Sequence, residues 1–563
     1  MKLRQLVEFF LALANKQGPY TFSLFSFALV DRACAMQGQL QIPVGLTLND
    51  TALQRRFGNW RHGAHGGIIH AWHSQSWAMH MFGIAAQPNA TTLRFAPGGG
   101  QQGGRNWCQC NQCPYAGGWC GQHETPPRKD DDRLISGSWL VENVLDELDE
   151  PGEYYFNTTS RLLYIYPNKT ANDPTGRANL RLAVLENLFI VQNVANITFT
   201  GIGFRETAST YMNNDWGVPS GGDWALRRGG ALFFENVSDV LIENCIFHRL
   251  DGNAVFLSRR TRNVAIRKSV FEWIGENAIA TWGQTKDYDG LAREFPIGTL
   301  VEGNVMRELG IYQKQSSAFA NNKAAISIIR NNIMFNTPRA AVNFNDMLGG
   351  GDVVYRNLMF NTCRESGDHG AINSWDRQPF LSDLRDGTPS FVPKPRKISY
   401  NFIISNYGSG SGLDNDDGSS WYHVRRNVLY NSEGFKMDYG GHDSIYTENV
   451  VVTFPPKWGQ MCIGFGEFFP LHGHQVINNT CIVSSKEKPI MYLGHCKTNP
   501  ILMVKNQYYT PDGEATVECA EDPDPISFQE LQKKYGLEIG SQLHHNPNKT
   551  HEVLDLVTTY LFS

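Results

Sequence analysis

The stretch GLDNDDGSSWY, residues 412–422, sets Asp414, Asp416 and Asp417 within four positions, directly after Gly412 and Leu413, which have the character of a strand entering a core. Carboxylates this close repel one another and resist desolvation, so the crowding calls for a physical reason. Three chemistries use it: acids divided into proton donor and base, a cage for calcium, or a solvated turn. An EF-hand loop fails as the cage, because counting twelve positions from Asp414 reaches Arg425 where a bidentate Glu is needed.

Which groups join these acids depends on the elements that carry them. From about residue 190 one phrase keeps returning: a β-branched residue, polar positions often including Asn, then two apolar residues. VLIENCIF (240–247), SIIRNNIMF (327–335), VVYRNLMF (353–360), VRRNVLY (424–430) and HQVINNTCIV (474–483) are copies. Repetition at a period in the twenties marks a solenoid. Each phrase is too short for a helix and rich in Val, Ile and Phe, so it reads as one strand per coil, with a second short strand between phrases. The fold class that follows is all-β, a parallel β-helix. Asn304, Asn332, Asn357, Asn401, Asn427, Asn449 and Asn479 fit a turn whose side-chain amides bond backbone and repeat from coil to coil.

The intervening strands are RAAVNFND (339–346), HGAINSWD (369–376), SGLDNDD (411–417) and EGFKMDY (433–439). With Val342, Ile372, Leu413 and Phe435 turned inward, alternation sends two columns outward: Asn343, Asn373, Asp414 and Lys436, and beside them Asn345, Trp375, Asp416 and Asp438. Strands in adjacent coils lie about 4.8 Å apart, so Asp416 and Asp438 are expected to face one patch. Paired carboxylates there suit glycosidic cleavage: about 5 Å apart for retention, about 6.5–9.5 Å for inversion. Asp416 and Asp438 lead as the catalytic pair, with Asp376 and Asp417 beside them. Trp375 offers a face for a sugar ring, with Asp414, Asn373 and His442 in reach and Asp368 and His369 at the rim. Arg377, Arg425, Arg426 and Lys436 are candidates for a uronate or sulfate. No cofactor is required; calcium on Asp414, Asp416 and Asp438 is the alternative.

The 563 residues, 41% hydrophobic and 19% charged, have ordinary globular composition. A net charge of -5 with no Lys/Arg-rich block argues against nucleic acid and anionic membranes as partners, and a monomer is expected. Apolar runs LVEFFLALA, interrupted by Glu8, and TFSLFSFALV, before ACA at 33–35, resemble a degraded signal peptide. Sequons at Asn49, Asn89, Asn157, Asn168, Asn196, Asn236, Asn478 and Asn548 agree with secretion or an endomembrane lumen. Eleven cysteines, including Cys108, Cys110, Cys113 and Cys120, then Cys462, Cys481, Cys496 and Cys519, read as disulfides with one thiol left by parity. Zinc at the first group, with His123, and a metal at His62, His65, His70 and His73 are weaker readings.

The phrases, together with GDHGAINSWDRQPF, LDNDDGSSWY and FKMDYGGHDS, resemble right-handed parallel β-helix proteins of the pectin-lyase-like superfamily, nearest to glycoside hydrolase family 141. The resemblance covers roughly residues 55–540, including a GEYYFNTTSRLLYIYP hairpin and a helical ISFQELQKKYGLEIGS near the end. It implies cleavage of fucosyl or xylosyl linkages by paired aspartates, with Asp376, Asp416 and Asp417 as the best matches. A looser resemblance, to polygalacturonases, rests on NSWD, NDD and GGHD in successive coils. The expected organisation is an N-terminal segment to residue 50, a β-rich Cys- and Trp-containing region over 51–190, the β-helix over 191–500 and a helix-containing cap over 501–563. No opening strand or cap is evident before TALQRRFGNWRHG, so an exposed solenoid edge is expected. A secreted hydrolase acting on an acidic or deoxy-sugar polysaccharide is the leading function; a lyase using Lys436 or an Arg as base, and a non-catalytic glycan-binding or matrix protein, are the alternatives.

Overall fold

The computed structural model describes residues 28–29, 45–48, 51–72, 79–96, 139–170, 175, 180–218, 224–285, 290, 292–375, 380–381, 392–406, 411–437, 441–454, 461–466, 473–485, 487–497 and 501–545. The chain divides into two compact units, one formed by 17–184 with 209–228 and the other by 185–208 with 229–563 and residues 1–16. In the first unit, six strands form an antiparallel sheet, and the helix Thr51–Gly58 buries Phe57 in a core with Leu48, Ile69, Phe82 and Leu93. The expected hairpin is present, with Tyr154 paired to Ile165 and Asn157 to Leu162.

The second unit is the parallel β-helix. Among the described residues its coils stack into three long sheets: a first of eleven strands from Ala195–Thr200 to Leu502–Val504, a second of twelve from Gly203–Arg205 to Gln542–His545, and a third of thirteen. The third runs from Phe189–Gln192 to Thr516–Cys519 in parallel and ends on the antiparallel Ile526–Ser527. Its last coil is followed by a short helix, Phe528–Glu530, closed by a capping box in which Ser527 and Glu530 satisfy each other's backbone amides. At the other end the first coil exposes Phe189, Ile190 and Val194 at 46%, 62% and 44%.

The repeated phrase is two strands, not one. In SIIRNNIMF, Ile328–Arg330 belongs to the first sheet and Ile333–Phe335 to the second, and the corner between them is Asn331 and Asn332. Asn331 has φ 57°, as Arg356 (52°), Tyr400 (58°), Arg426 (55°) and Glu448 (54°) do at equivalent corners. A left-handed residue re-aims the chain within two positions, which a continuous strand cannot do. The conformation is unfavourable for side chains such as Arg or Tyr, by about 1–2 kcal/mol, so the neighbouring residue must hold the corner.

That residue is the buried Asn. Asn332 Nδ2 donates to Asn357 Oδ1 at 2.9 Å, Asn357 to Asn401 at 2.9 Å, Asn401 to Asn427 at 2.9 Å and Asn427 to Asn449 at 3.0 Å. Each carboxamide oxygen also accepts the backbone N–H of the Asn before it, as Asn401 Oδ1 does from Asn357 at 3.0 Å. The second Nδ2 proton reaches a strand carbonyl, Ile329 O in the case of Asn357 at 2.9 Å. Ser269 begins the series and Ser541 ends it, each hydroxyl accepting the neighbouring amide. Inside the coils, aromatic and aliphatic residues stack, as Phe247 does on Phe271 with ring centres 4.4 Å apart.

One inner position is ionic. Arg396 and Asp352, 4% and 0% exposed, pair at 3.0 Å, and the guanidinium lies 4.9 Å from the Phe344 ring centre and 5.6 Å from that of Tyr422. Gly349, at φ 139°, allows this crossing, since a Cβ there would stand 2.1 Å from Ala324 O.

Cys462–Cys481 and Cys496–Cys519 are disulfides with Cα separations of 6.2 and 6.0 Å. Parity suggested one leftover thiol, but Cys245 and Cys363 are both free and buried. Cys245 takes an early corner position, its N–H donating to Ser269 Oγ, and Cys363 Sγ contacts His369 O and Gly370 O at 3.4 Å. Cys108, Cys110, Cys113, Cys120 and His123 lie outside the described residues. Among the described residues no helix is long and apolar enough to cross a membrane. His62 and His70 pair with Asp146 and Glu142, each at 3.1 Å, His73 lies outside the described residues, and no group able to hold a metal occurs among those that are described.

Asn357→Ala tests the corner. It strips partners from the buried Asn332 N–H and Ile329 O, so stability should fall by about 2–4 kcal/mol in chemical denaturation. A loss below about 1 kcal/mol, the net worth of one ordinary hydrogen bond, would show that the amide series is dispensable.

Candidate active site on the outer face of the third sheet

The expected inward residues Val342, Ile372, Leu413 and Phe435 are 0%, 1%, 0% and 3% exposed. Their strands, Val342–Gly350, Ile372–Trp375, Ser411–Asn415 and Glu433–Met437, are neighbours in the third sheet. The pairing Asn343 to Asn373 to Asp414 to Lys436 is in register, so the first outward column forms as the alternation requires. In the second column Asn345 pairs with Trp375, but the next strand ends at Asn415. Asp416 is the hinge of a turn: its N–H still donates to Ser374 O at 2.8 Å while its carbonyl accepts from Ser419 N at 3.0 Å. Gly418, at φ 74°, closes that turn. Asp376, Arg377 and Asp438 lie outside the described residues.

One ammonium gathers the acids. Lys436 Nζ stands 2.9 Å from Asp368 Oδ1, 3.2 Å from Asp414 Oδ1 and 3.7 Å from Asp416 Oδ1. The three carboxylates differ in access: the Asp414 side chain is fully buried, that of Asp416 is 15% exposed and that of Asp368 53%. Asp368 is held at φ 57° between Gly367 and His369, a conformation that aims its carboxylate from the corner loop toward the strand carrying Lys436. Asp417 follows in the same turn, half-buried.

Beneath the acids lies a layer that the sequence did not single out. Arg339, fully buried, donates from Nη2 to Asn373 Oδ1 at 2.8 Å, and Asn373 Nδ2 donates to Asp414 Oδ2 at 2.9 Å. Arg339 Nε donates to His369 Nε2 at 3.3 Å, which leaves the Nδ1 proton of His369 for Ser366 Oγ. The expectation that His369 and Asn373 touch substrate is therefore corrected: both are buried with their polar atoms already engaged, His369 between Arg339 and Ser366 and Asn373 between Arg339 and Asp414, so they orient Asp414. A signal for Arg339 did exist, since RAAVNFND opens the strand alignment, but nothing in a lone Arg announces that it points into the sheet corner.

Three other expected contacts, Arg425, Arg426 and His442, have partners of their own. Arg425 ends a strand of the first sheet and, with Arg426, pairs with Glu448, so neither basic group faces the acids. His442 bonds Asp443 at 2.8 Å and meets the Trp421 ring edge-on, 5.0 Å between centres. Trp375 is half-buried at the end of its strand, on the outward side.

Glu433 is a second titratable group on the strand that carries Lys436. It stands about 10 Å back along the strand, and alternation turns it toward the interior. Burial pushes its carboxyl up to about 7, opposed by Lys488, and its Oε1 has no hydrogen-bond partner. Behind the site, burial also lowers the neutral His474 to about 3.

No protein-family model matches the chain, and no curated protein matches it significantly. One solved structure, named glycoside hydrolase, is similar over 75% of each chain at 16% identity with a TM-score of 0.49. At that level the likeness carries no functional argument.

The raised Glu433 pKa has a sign in stability. The folded protein keeps this proton more tightly than the unfolded chain, so the contribution is present below about pH 4.5 and is lost as pH rises through about 7. Glu433→Gln should match wild type in thermal stability at pH 4.5 and exceed it increasingly up to pH 8, as read by melting temperature. Parallel profiles for the two proteins across that range would contradict the assignment.

Proposed function

We propose that the protein is a glycoside hydrolase that cleaves a complex polysaccharide on the outer face of the third sheet. The observation that carries the reading is the convergence of Asp368, Asp414 and Asp416 on Lys436. Because one nitrogen contacts all three, their oxygens lie within two contact lengths of one another, the span over which glycosidases set acid and base. Asp416 and Asp368 reach solvent and take the reacting positions: one protonates the leaving oxygen while the other attacks the anomeric carbon or activates water. Asp438, Asp376 and Asp417 remain in the candidate set by their place in the sequence. Asp414, held by Asn373 and Lys436, orients the ammonium that keeps the neighbouring carboxylates apart in role.

Lys436 already supplies positive charge among the acids, so calcium is not needed for this chemistry. The same engagement disfavours the lyase reading, which requires an available base and a cation for the uronate. Two disulfides and the exposed sequon residues Asn89, Asn168, Asn196 and Asn478 support a secreted or lumenal glycoprotein. The resemblance to glycoside hydrolase family 141 supports fucosyl or xylosyl linkages as the first substrates to try.

A polysaccharide panel with wild type and Asp416→Asn, reading both reducing ends and near-ultraviolet absorbance, tests the proposal. Wild type should release reducing ends without unsaturated products, and the variant should lose about a hundredfold or more in rate. Unsaturated products would establish a lyase. Undiminished turnover by Asp416→Asn would remove Asp416 from the chemistry.

A further inference from the structure

Next to the carboxylates, the outer face of the third sheet carries a set of amides that the protein leaves wholly or partly unused. Register places Trp282, Asn322, Asn345 and Trp375 in one outward column on four successive strands. The adjacent column holds Ala280, Ala320, Asn343 and Asn373. Asn345 is 2% exposed, yet neither its Oδ1 nor its Nδ2 has a hydrogen-bond partner. Asn343 Oδ1 and Asn322 Oδ1, in residues 2% and 0% exposed, are likewise unpartnered.

Buried amides are ordinarily satisfied, because an unmet donor or acceptor away from water is unfavourable by about 1–3 kcal/mol. The contrast within this fold is direct. The corner asparagines use both amide ends, as Asn357 does with Nδ2 donating to Ile329 O and Asn401 Oδ1 and Oδ1 accepting from Asn332, whereas Asn345 uses neither. Three residues with unmet amide atoms on two adjacent strands, all outward, with Asn322 and Asn345 between two tryptophans and Asn343 in the column beside them, point to a partner outside the chain.

The chemistry of the set limits that partner. A carboxamide offers a donor and an acceptor side by side, which matches vicinal hydroxyls, and half-buried indoles at both ends match the apolar faces of sugar rings. Neither column carries a charged residue on these four strands, and the two cations beside them are engaged, Arg339 with Asn373 and His369 and Lys436 with the acids. We propose that Asn322, Asn343 and Asn345, flanked by Trp282 and Trp375, form a subsite for an uncharged sugar unit of the polysaccharide, with Asn373 one strand and Asp414 two strands from Asn343 and Asn345. The inference rests on the carbohydrate reading and replaces the acidic substrate expected from the sequence with a neutral one at this position.

Affinity electrophoresis of the full chain through gels containing xyloglucan, mannan or starch, and through polygalacturonate, tests it together with melting temperatures. Wild type should be retarded by at least one neutral polysaccharide, with no weakening as salt is raised. Asn345→Leu should bind that polysaccharide about tenfold more weakly while melting at the same temperature or higher, because it removes an unsatisfied amide. Retardation by polygalacturonate alone, or by nothing, overturns the subsite. So does wild-type affinity in Asn345→Leu, the result if only ordered water occupies the amides. A lower melting temperature makes Asn345 structural and equally ends the proposal. Because binding is read without turnover, neutral binding without cleavage counts against the hydrolase alone, and cleavage of polygalacturonate without neutral binding counts against the subsite alone.

Discussion

The coil-to-coil register is the constraint on which everything else in the β-helix depends. Parallel pairing alone leaves a strand free to slip, and a one-residue slip would turn an inward Leu413 outward and an outward Asp414 inward. The asparagine corner removes that freedom, since each carboxamide must meet a particular amide and carbonyl one coil away. It also holds the left-handed residue beside it, so Arg, Tyr and Glu occupy a conformation usually left to glycine or asparagine. Local strain and long-range pairing are thereby tied to one side chain.

The site inherits its precision from that register. Asn373 and Asp414 are 41 residues apart and Lys436 and Asp368 are 68 apart, yet each pair sits within hydrogen-bond distance because neighbouring coils are locked in phase. The loops between sheets are where the chain departs from the repeat, and two of them deliver groups that the strands alone do not have. The corner before Ile372 brings Asp368 and His369; the turn after Asn415 brings Asp416. Regular strands thus supply Asp414 and Lys436, and irregular connections supply the acids that reach solvent.

Charge is distributed with the same economy. Arg339 below and Lys436 above bracket the Asn373–Asp414 pair, so the buried carboxylate is opposed on both sides and hydrogen-bonded. What is left toward the surface among the described residues is one ammonium with two carboxylates, those of Asp416 and Asp368. On the four strands from Ile279–Trp282 to Ile372–Trp375, neither outward column has an ionic group.

The sequence by itself determined the fold class and the first outward column. A period in the twenties, the recurrent Asn and period-two alternation are local patterns, and they suffice to place Val342, Ile372, Leu413 and Phe435 inward and Asn373, Asp414 and Lys436 outward. It did not separate the repeated phrase into two strands, because a left-handed corner at Arg356 or Tyr400 leaves no compositional mark. Nor did it show that Arg425 and Arg426 belong to another sheet, that His369 is buried under Arg339, or that Asp416 leaves its strand at a turn. Those facts depend on where loops of unequal length return each coil, and on which side chains then compete for the same partner. Such competition is settled only when residues from successive coils are brought into contact, which is why the acids were legible one by one and their convergence on Lys436 was decided by the tertiary structure.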